Sequence, residues 1–303
     1  MISIVYMGTP EYAKVILQRL IDEKDIEINL VLTQPDRPVG RKRVLTPPPV
    51  KELALKNSIE VLQPPSLRDE SIAAVIKESK PDIIVVAAYG QLLPKAVLDI
   101  APCINLHASI LPKYRGASPI QQALLNGDEY SGVTAMLMEE GLDTGDMLGF
   151  RYIASSEAPR LDEMTQKLSE MAAELTVSVV RNFENLEPIA QLGASASKCK
   201  KIARGDGLVN FSSAKELYQR YSAFYGWPGI FLESSTKLHG VRLIDDKKRY
   251  NEGEILAIEG SSVIIGCAKG SVQIEQLQAK SKAKMDAKAY ISGKRFKVGD
   301  TLL

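Results

Sequence analysis

The sequence has few of the residues from which metal sites and disulfide frameworks are built. It contains three cysteines and two histidines in 303 residues. Cys103, Cys199 and Cys267 are odd in number and widely spaced, which excludes a disulfide framework and a Cys-x-x-Cys motif. His107 and His239 form no His-Glu-x-x-His motif. We therefore expect no metal site, and we expect the cysteines to be reduced.

Long apolar runs are also absent. No stretch approaches the roughly 18 uninterrupted apolar residues that a membrane-spanning helix needs. The chain opens on Ile2–Tyr6, which is typical of a strand, without a basic and then apolar leader. We therefore expect a cytoplasmic protein that does not contact membranes. A composition that is 45% hydrophobic and 25% charged is typical of globular proteins, and the length favours two domains.

The net charge of +1 conceals a strong asymmetry along the chain. Residues 1–197 carry 19 Lys and Arg against 26 Asp and Glu, a net charge of −7. Residues 198–303 carry 19 against 11, a net charge of +8. This surplus indicates that the C-terminal part binds a polyanion such as a nucleic acid. The alternative is a lysine-rich face that only keeps the protein soluble.

Apolar periodicity predicts an α/β fold for the first part, with an open parallel sheet of the Rossmann-like kind. The run Ile83–Ala88 is continuously apolar, as expected of a strand buried on both faces of a parallel sheet. The other predicted strands and helices are strands Ile2–Tyr6, Ile28–Thr33 and Cys103–His107, and helices Tyr12–Asp22, Glu70–Lys80, Pro119–Asn126 and Asp162–Glu184.

The second part predicts a small OB-like β-barrel, because short strands follow one another between turn residues. A stretch rich in Ala, Ser, Gly and Lys precedes it. We place a catalytic domain at 1–188, a linker at 189–207 and the barrel at 208–303. Trp227 is expected in the barrel core, with stacking on a base as the alternative. The predicted elements are a helix at Ser213–Tyr225 and strands at Gly229–Ser234, Lys237–Ile244, Gly253–Glu259, Ser262–Cys267 and Ser271–Leu277.

Two polar residues stand out at the end of a predicted strand. Asn105 and His107 are two residues apart, so they share one face of Cys103–His107. The loop Gly141-Leu-Asp143-Thr-Gly-Asp146 can bring a carboxylate to the imidazole and hold its tautomer. An amide, an imidazole and a carboxylate suit chemistry at a carbonyl. A histidine that only packs in the core, and an aspartate that only caps a turn, are the alternatives.

Several segments together resemble the methionyl-tRNA formyltransferase family, and they occur in the family's order across nearly the whole chain. The segments are Met7-Gly-Thr-Pro-Glu-Tyr-Ala13, Gln34-Pro-Asp-Arg-Pro38, Ala88-Tyr-Gly90, Asn105-Leu-His-Ala-Ser-Ile-Leu-Pro112 and Gly141-Leu-Asp-Thr-Gly-Asp146. The resemblance implies transfer of a formyl group from 10-formyltetrahydrofolate to the α-amine of methionyl-initiator tRNA. It also implies catalytic roles for Asn105, His107 and Asp143. Asp146 is the competing carboxylate.

The resemblance also implies where the two substrates bind. The pterin is expected against backbone and apolar groups of two segments. The polyanion is expected on a basic loop and on the start of the second domain, and Arg41 is expected to discriminate the end of the acceptor stem. The folate set is Tyr89, Gly90, Gln91, Leu92, Ser109, Ile110, Leu111 and Pro112; the tRNA set is Arg37, Arg41, Lys42, Arg43, Lys200, Lys201 and Arg204.

Three other functions remain open from the sequence. An enzyme of the same fold could formylate a small acceptor such as a ribonucleotide or an amino sugar, or it could hydrolyse the formyl folate. A non-catalytic RNA-binding module would explain the charge but would leave Asn105, His107 and Asp143 without a role. No stable protein partner is evident from the sequence, and the basic loop can also be read as an ordinary surface loop.

Overall fold

The computed structural model describes residues 1–40, 42–157 and 159–302, which divide into two compact units. Unit 1 comprises Met1–Pro119, Tyr130–Glu157 and Met164–Lys200. Unit 2 comprises Ile120–Glu129 and the described residues of 158–163 and 201–303. The domain bounds 1–188, 189–207 and 208–303 stay a prediction.

Helices and strands alternate through most of unit 1. The α-helices in the described part of the chain are α1 (Glu11–Ile21), α2 (Pro49–Lys56), α3 (Glu70–Glu78), α4 (Lys95–Leu98), α5 (Pro119–Asn126), α6 (Leu161–Asn182), α7 (Ala214–Ala223) and α8 (Ala287–Gly293). The strands of unit 1 are β1 (Ile2–Gly8), β2 (Ile26–Leu32), β3 (Arg37–Val39), β4 (Val44–Thr46), β5 (Val61–Leu62), β6 (Ile83–Ala87), β7 (Cys103–His107), β8 (Arg115–Gly116), β9 (Tyr130–Leu137), β10 (Met147–Ala154) and β11 (Lys198–Cys199).

A seven-stranded sheet in the order β10-β9-β7-β6-β1-β2-β5 forms the centre of unit 1. The five strands from β7 to β5 are parallel, which confirms the predicted open parallel sheet. Strands β9 and β10, which the sequence analysis did not predict, extend it with antiparallel pairing. From β1 at the centre, the chain first adds β2 and β5 on one side of the sheet. It then adds β6, β7, β9 and β10 in turn on the other side. Open sheets of this kind bind ligands at the carboxyl ends of the strands.

Burial on both faces explains the composition of the central strands. Val5, Tyr6 and Met7 of β1 are fully buried, so apolar residues occupy consecutive positions instead of alternating. Helix α1 covers the sheet with an apolar stripe at the three- and four-residue spacing of a helix. The buried residues of α1 are Tyr12, Ala13, Ile16, Leu17 and Leu20.

Unit 2 is built on an antiparallel sheet, which confirms the predicted second β domain. Its strands are β12 (Ile230–Phe231), β13 (Lys237–Asp245), β14 (Ile255–Glu259), β15 (Ser262–Gly266), β16 (Ser271–Gln278) and β17 (Met285–Asp286). The strand order is β12-β13-β16-β15-β14, and β17 pairs with β16. Ser213 caps α7 by accepting a hydrogen bond from the Glu216 amide at 3.3 Å. Contrary to the expectation of a core position, the Trp227 side chain is 60% exposed.

No helix among the described residues is long and apolar enough to cross a lipid bilayer.

Candidate active site

Strand β7 presents its polar residues at the carboxyl end of the sheet. Asn105 and His107 lie on the same face, as the alternation predicts. The antiparallel neighbour β9 holds this end of β7, because Asn105 pairs with Met136 and His107 pairs with Thr134. His107 is 6% exposed. Both side chains are therefore fixed by a core strand and not by a surface loop.

The Asp143 carboxylate meets both β7 residues. Its Oδ1 accepts a hydrogen bond from Asn105 Nδ2 at 3.3 Å, and its Oδ2 accepts one from the Gly116 amide at 2.8 Å. The loop that carries it turns sharply, since Asp143 has a φ of +52° in the left-handed region. Aspartate is one of the few residues other than glycine that adopts this conformation readily. The side chain is only 12% exposed.

The imidazole of His107 is oriented by a backbone carbonyl. Its Nε2 lies 2.9 Å from the Tyr114 carbonyl oxygen, which can only accept, so Nε2 carries a proton. Its Nδ1 lies 3.7 Å from Asp143 Oδ2, beyond hydrogen-bonding distance. Asp143 was expected to hold the tautomer, whereas in the structure the Tyr114 carbonyl does so. In the neutral ring, Nδ1 is left with a lone pair that faces the carboxylate.

The competing carboxylate does not join this cluster. The side chain of Asp146 is exposed, and its backbone carbonyl accepts a hydrogen bond from the Leu137 amide at 2.8 Å. The structure thus brings Asp143, and not Asp146, to Asn105 and His107.

The first predicted folate segment follows β6. Two of its residues are buried or hydrogen-bonded, and two are exposed to solvent. Tyr89 is buried, and burial raises the pKa of its phenol to about 12. The Gln91 amide is engaged at both ends: Oε1 accepts from the Leu67 amide and Nε2 donates to the Pro64 carbonyl, each at 3.0 Å. Gly90 and Leu92 are exposed, and Gly90 has a φ of +87°. A ligand would therefore meet Gly90 and Leu92 first.

The second predicted folate segment is tied to β9. Thr134 Oγ1 donates to the Ser109 carbonyl at 2.7 Å and accepts from the Leu111 amide at 3.0 Å. Ser109 Oγ donates to the Lys113 carbonyl at 2.6 Å, so its hydroxyl is already used. Leu111 is buried, whereas Ile110 and Pro112 are half-buried.

The chain matches two family models and is similar along its length to proteins named methionyl-tRNA formyltransferase. Residues 2–180 match the family Formyl transferase, and residues 201–295 match Formyl transferase, C-terminal domain. The chain is 54% identical over 301 residues to the methionyl-tRNA formyltransferase of Sulfurovum sp. (strain NBC37-1), covering 99% of both proteins. It is 49% identical over 304 residues to that of Wolinella succinogenes, covering 100% of both.

The chain belongs to the methionyl-tRNA formyltransferase family.

Two solved structures share the fold at low sequence identity. An N-formyltransferase from Helicobacter canadensis in complex with folinic acid and dTDP-3-aminofucose has a TM-score of 0.70 at 18% identity. The match covers 92% of this chain and 100% of that one. HypX from Aquifex aeolicus in complex with tetrahydrofolic acid has a TM-score of 0.64 at 18% identity, over 97% of this chain and 48% of that one.

The basic loop that the family resemblance associates with tRNA forms a hairpin. Strands β3 and β4 pair in antiparallel register, with Arg37 opposite Thr46. Arg37 donates to Gln34 Oε1 at 2.9 Å, and Lys42 and Arg43 are exposed at the turn. The predicted discriminator Arg41 lies outside the described residues. These strands were not predicted from the sequence, because both are exposed and show no inward-facing alternation.

The other predicted tRNA residues are exposed, and each unit contains some of them. Lys200 ends the last segment of unit 1, and Lys201 begins the last segment of unit 2. Arg204 lies in a short 3-10 helix at Arg204–Gly207. Lys200, Lys201 and Arg204 are all exposed.

Unit 2 also contains an aromatic and basic cavity that the sequence analysis missed. Its volume is about 690 Å³. The Arg160 guanidinium lies over the Tyr225 ring, 4.5 Å from its centre, and Tyr221 packs edge-on against that ring. Lys237 and Arg242 also line the cavity, together with Glu163 and Glu275, and Arg242 Nη2 lies 2.9 Å from Glu275 Oε1. Single aromatic and basic residues far apart in the sequence gave no indication of it.

Gln191, which lies in the predicted linker 189–207, contributes to the site. Gln191 Nε2 donates to the carbonyls of Asp143 and Gly145 at 2.9 and 2.8 Å. Its Oε1 accepts from Arg115 Nε and Nη2 at 3.0 and 2.8 Å. Both Gln191 and Arg115 were missed, because a glutamine in a polar stretch carries no sequence pattern of its own.

Within residues 1–40, 42–157 and 159–302, no three His, Cys, Asp or Glu side chains are grouped so that they could bind a metal ion.

The close packing of the Asp143 loop can be tested at Gly145. A Cβ added there would overlap the Leu137 carbonyl oxygen, so Gly145→Ala must displace the loop. Overpacking of this kind costs about 1–3 kcal/mol. At about 2–4 °C per kcal/mol, we expect the melting temperature to fall by roughly 2–12 °C.

Gly193→Ala is the matched control, because a Cβ at that position would meet nothing within 4 Å. Scanning calorimetry should leave its melting temperature unchanged. Equal melting temperatures for both variants would contradict the packing of the loop against Leu137.

Proposed function

We propose that the protein transfers the formyl group of 10-formyltetrahydrofolate to the α-amino group of methionyl-initiator tRNA, for translation initiation. The observation that carries the proposal is the meeting of Asn105, His107 and Asp143 at the end of β7. Membership of the formyltransferase family, and relatives named for this reaction, support the identity of donor and acceptor.

The reaction requires a donor for a developing oxyanion. The amine nitrogen attacks the formyl carbon, the bond from that carbon to the folate nitrogen breaks, and a proton from the amine finally reaches the folate nitrogen. One amide hydrogen of Asn105 is directed to Asp143. The second remains available to the formyl oxygen, because a side-chain amide has two donors. A preorganised donor of this kind contributes about 10²–10³ in rate.

The reaction also requires a group that takes and returns a proton. Because the Tyr114 carbonyl keeps the His107 proton on Nε2, the free site is Nδ1, opposite Asp143 Oδ2. A proton received on Nδ1 converts the ring to imidazolium, which the nearby carboxylate stabilises. Asp143 thus favours proton uptake from the attacking amine, and the folate nitrogen is the final acceptor. General catalysis of this kind contributes about 10²–10⁴.

Labelled formyl transfer distinguishes the candidate functions. The full chain is supplied with 10-formyltetrahydrofolate carrying a labelled formyl group and with charged initiator tRNA, free methionine, a nucleotide-linked amino sugar or water alone. We expect label on methionyl-tRNA. Label on the amino sugar, or release of formate without an acceptor, would contradict the proposed substrate.

Substitution of the three site residues tests their roles. Asn105→Ala and His107→Ala are expected to lower kcat by about 10²-fold or more, with a smaller effect on tRNA affinity, because both act on the developing charge. Asp143→Asn keeps the side-chain shape and removes the carboxylate, so we expect a comparable loss. Single-turnover rates with saturating substrates measure the effect.

Asp146→Asn is the matched control for Asp143→Asn, because both carboxylates lie in one loop. It should keep nearly full turnover. If Asp146→Asn lost activity and Asp143→Asn retained it, the roles of the two carboxylates would be reversed.

Exposed cations supply the proposed contacts to the tRNA phosphates. The hairpin residues Arg37, Lys42 and Arg43 would approach the acceptor end, and Lys200, Lys201 and Arg204 would follow the backbone. Arg41 stays the proposed discriminator on the basis of the family resemblance. The cavity of unit 2 suits an unpaired base, since Arg160 and Tyr225 already stack and bases stack on aromatic side chains.

A triple variant of the hairpin tests the phosphate contacts. Arg37→Gln, Lys42→Gln and Arg43→Gln together should weaken tRNA binding and lower the slope of log affinity against log salt by up to about 2–3. The control is the triple Gln variant of Lys24, Lys56 and Lys80, which are exposed and outside the proposed contacts. Equal salt slopes for the two triple variants, measured by filter binding, would remove the hairpin from the tRNA interface.

A further inference from the structure

The amide of Gln191 is fully engaged. Its two hydrogens go to the carbonyls of Asp143 and Gly145, and its oxygen receives two hydrogen bonds from the Arg115 guanidinium. A flipped amide would place its oxygen against two carbonyls and its NH2 against the guanidinium. The orientation of this side chain is therefore determined by all four contacts at once.

Backbone hydrogen bonds fix the chain both before and after Gln191. Ile189 exchanges two hydrogen bonds with Met147, at 2.8 and 2.9 Å. Further along, the Ser197 carbonyl accepts from the Arg115 amide at 2.9 Å, and β11 pairs with β8. The segment 189–199 thus contacts the loop that carries Asp143 and the segment that carries Gly116.

The Asp143 loop depends on such outside support. Gly141 and Leu142 just before it are exposed, and Asp143 itself adopts the left-handed conformation. One of the Gln191 hydrogen bonds ends on the carbonyl of Asp143 itself. Any displacement of this peptide would move the carboxylate away from Asn105 and from the Gly116 amide.

We propose that Gln191 is a positioning residue for the reaction, which holds the Asp143 carboxylate against Asn105 and His107, while Arg115 fixes the Gln191 amide. The role of Asp143 in catalysis rests on the proposed function. The position of its carboxylate does not, and it can be measured separately.

Two substitutions test the hydrogen bonds that the Gln191 NH2 group donates. Gln191→Glu keeps an oxygen that accepts from Arg115, but it places a second oxygen, which cannot donate, against the carbonyls of Asp143 and Gly145. Gln191→Leu removes both the hydrogen bonds to these carbonyls and those from Arg115. Gln18→Leu is the control, because Gln18 is an exposed glutamine on α1 whose Nε2 donates to Asp22 Oδ1 at 2.8 Å.

The kinetic test is a double-mutant cycle in the full chain. Both Gln191 variants should lower kcat by about 10–10²-fold, as expected for a misplaced reacting group, with KM for folate and tRNA nearly unchanged. In an Asp143→Asn background the same substitutions should cause no further loss, because Gln191 acts through Asp143. A loss of kcat that multiplies with that of Asp143→Asn would overturn the proposal.

The exchange rate of the Gly116 amide hydrogen gives a readout that needs no activity. This amide donates to Asp143 Oδ2, so its exchange should accelerate in both Gln191 variants and remain unchanged in Gln18→Leu. If the unsubstituted protein formylates no methionyl-tRNA, the proposed function fails, while accelerated Gly116 exchange still supports the positioning role. Unchanged Gly116 exchange in both Gln191 variants would overturn the positioning role, even in an active enzyme.

Discussion

The candidate site depends on the Asp143 carboxylate, which binds two different segments of the chain at once. Asp143 accepts hydrogen bonds from the Asn105 side chain on β7 and from the Gly116 amide in a neighbouring segment. Because hydrogen bonds to a carboxylate are about twice as strong as those between neutral groups, they fix the loop at the end of a buried strand. His107 then faces the same carboxylate across 3.7 Å, with its other nitrogen held by the Tyr114 carbonyl.

The site combines two residues on a rigid strand with one residue on a loop. Asn105 and His107 belong to β7, which is paired with a strand on both sides, so the core holds them in place. The carboxylate comes from a partly exposed loop, and its position is determined by hydrogen bonds from outside the loop. Gln191 and Arg115 supply this support from a segment that would otherwise only connect α6 to unit 2.

The sequence predicted the elements whose patterns are local. The continuous apolar run near Ile83 and the alternation of Asn105 and His107 define β6 and β7 to within one residue. The Gly-flanked loop indicated Asp143, the family resemblance supported it, and the structure brings it to Asn105 and His107. Strands β9 and β10 were missed, although β9 is almost fully buried. The hairpin β3–β4 was missed because exposed strands have no core-facing alternation.

The residues that sequence reasoning missed act through long-range contacts with backbone groups. The Tyr114 carbonyl and the Gly116 amide have no side-chain chemistry that a motif could reveal. Gln191 reaches a loop that lies 46 to 48 residues away in the chain. The exposure of Trp227 was missed for a related reason, since burial depends on neighbours that only the fold brings together.

The tautomer of His107 tests the central arrangement most directly. The protein has two histidines, so 15N-histidine labelling gives two imidazoles, and a His239→Gln variant identifies the one that belongs to His107. The spectrum would be recorded under conditions in which both imidazoles give the signals of the neutral ring. The structure predicts the His107 proton on Nε2, donated to the Tyr114 carbonyl. A proton on Nδ1, directed at Asp143, would contradict it.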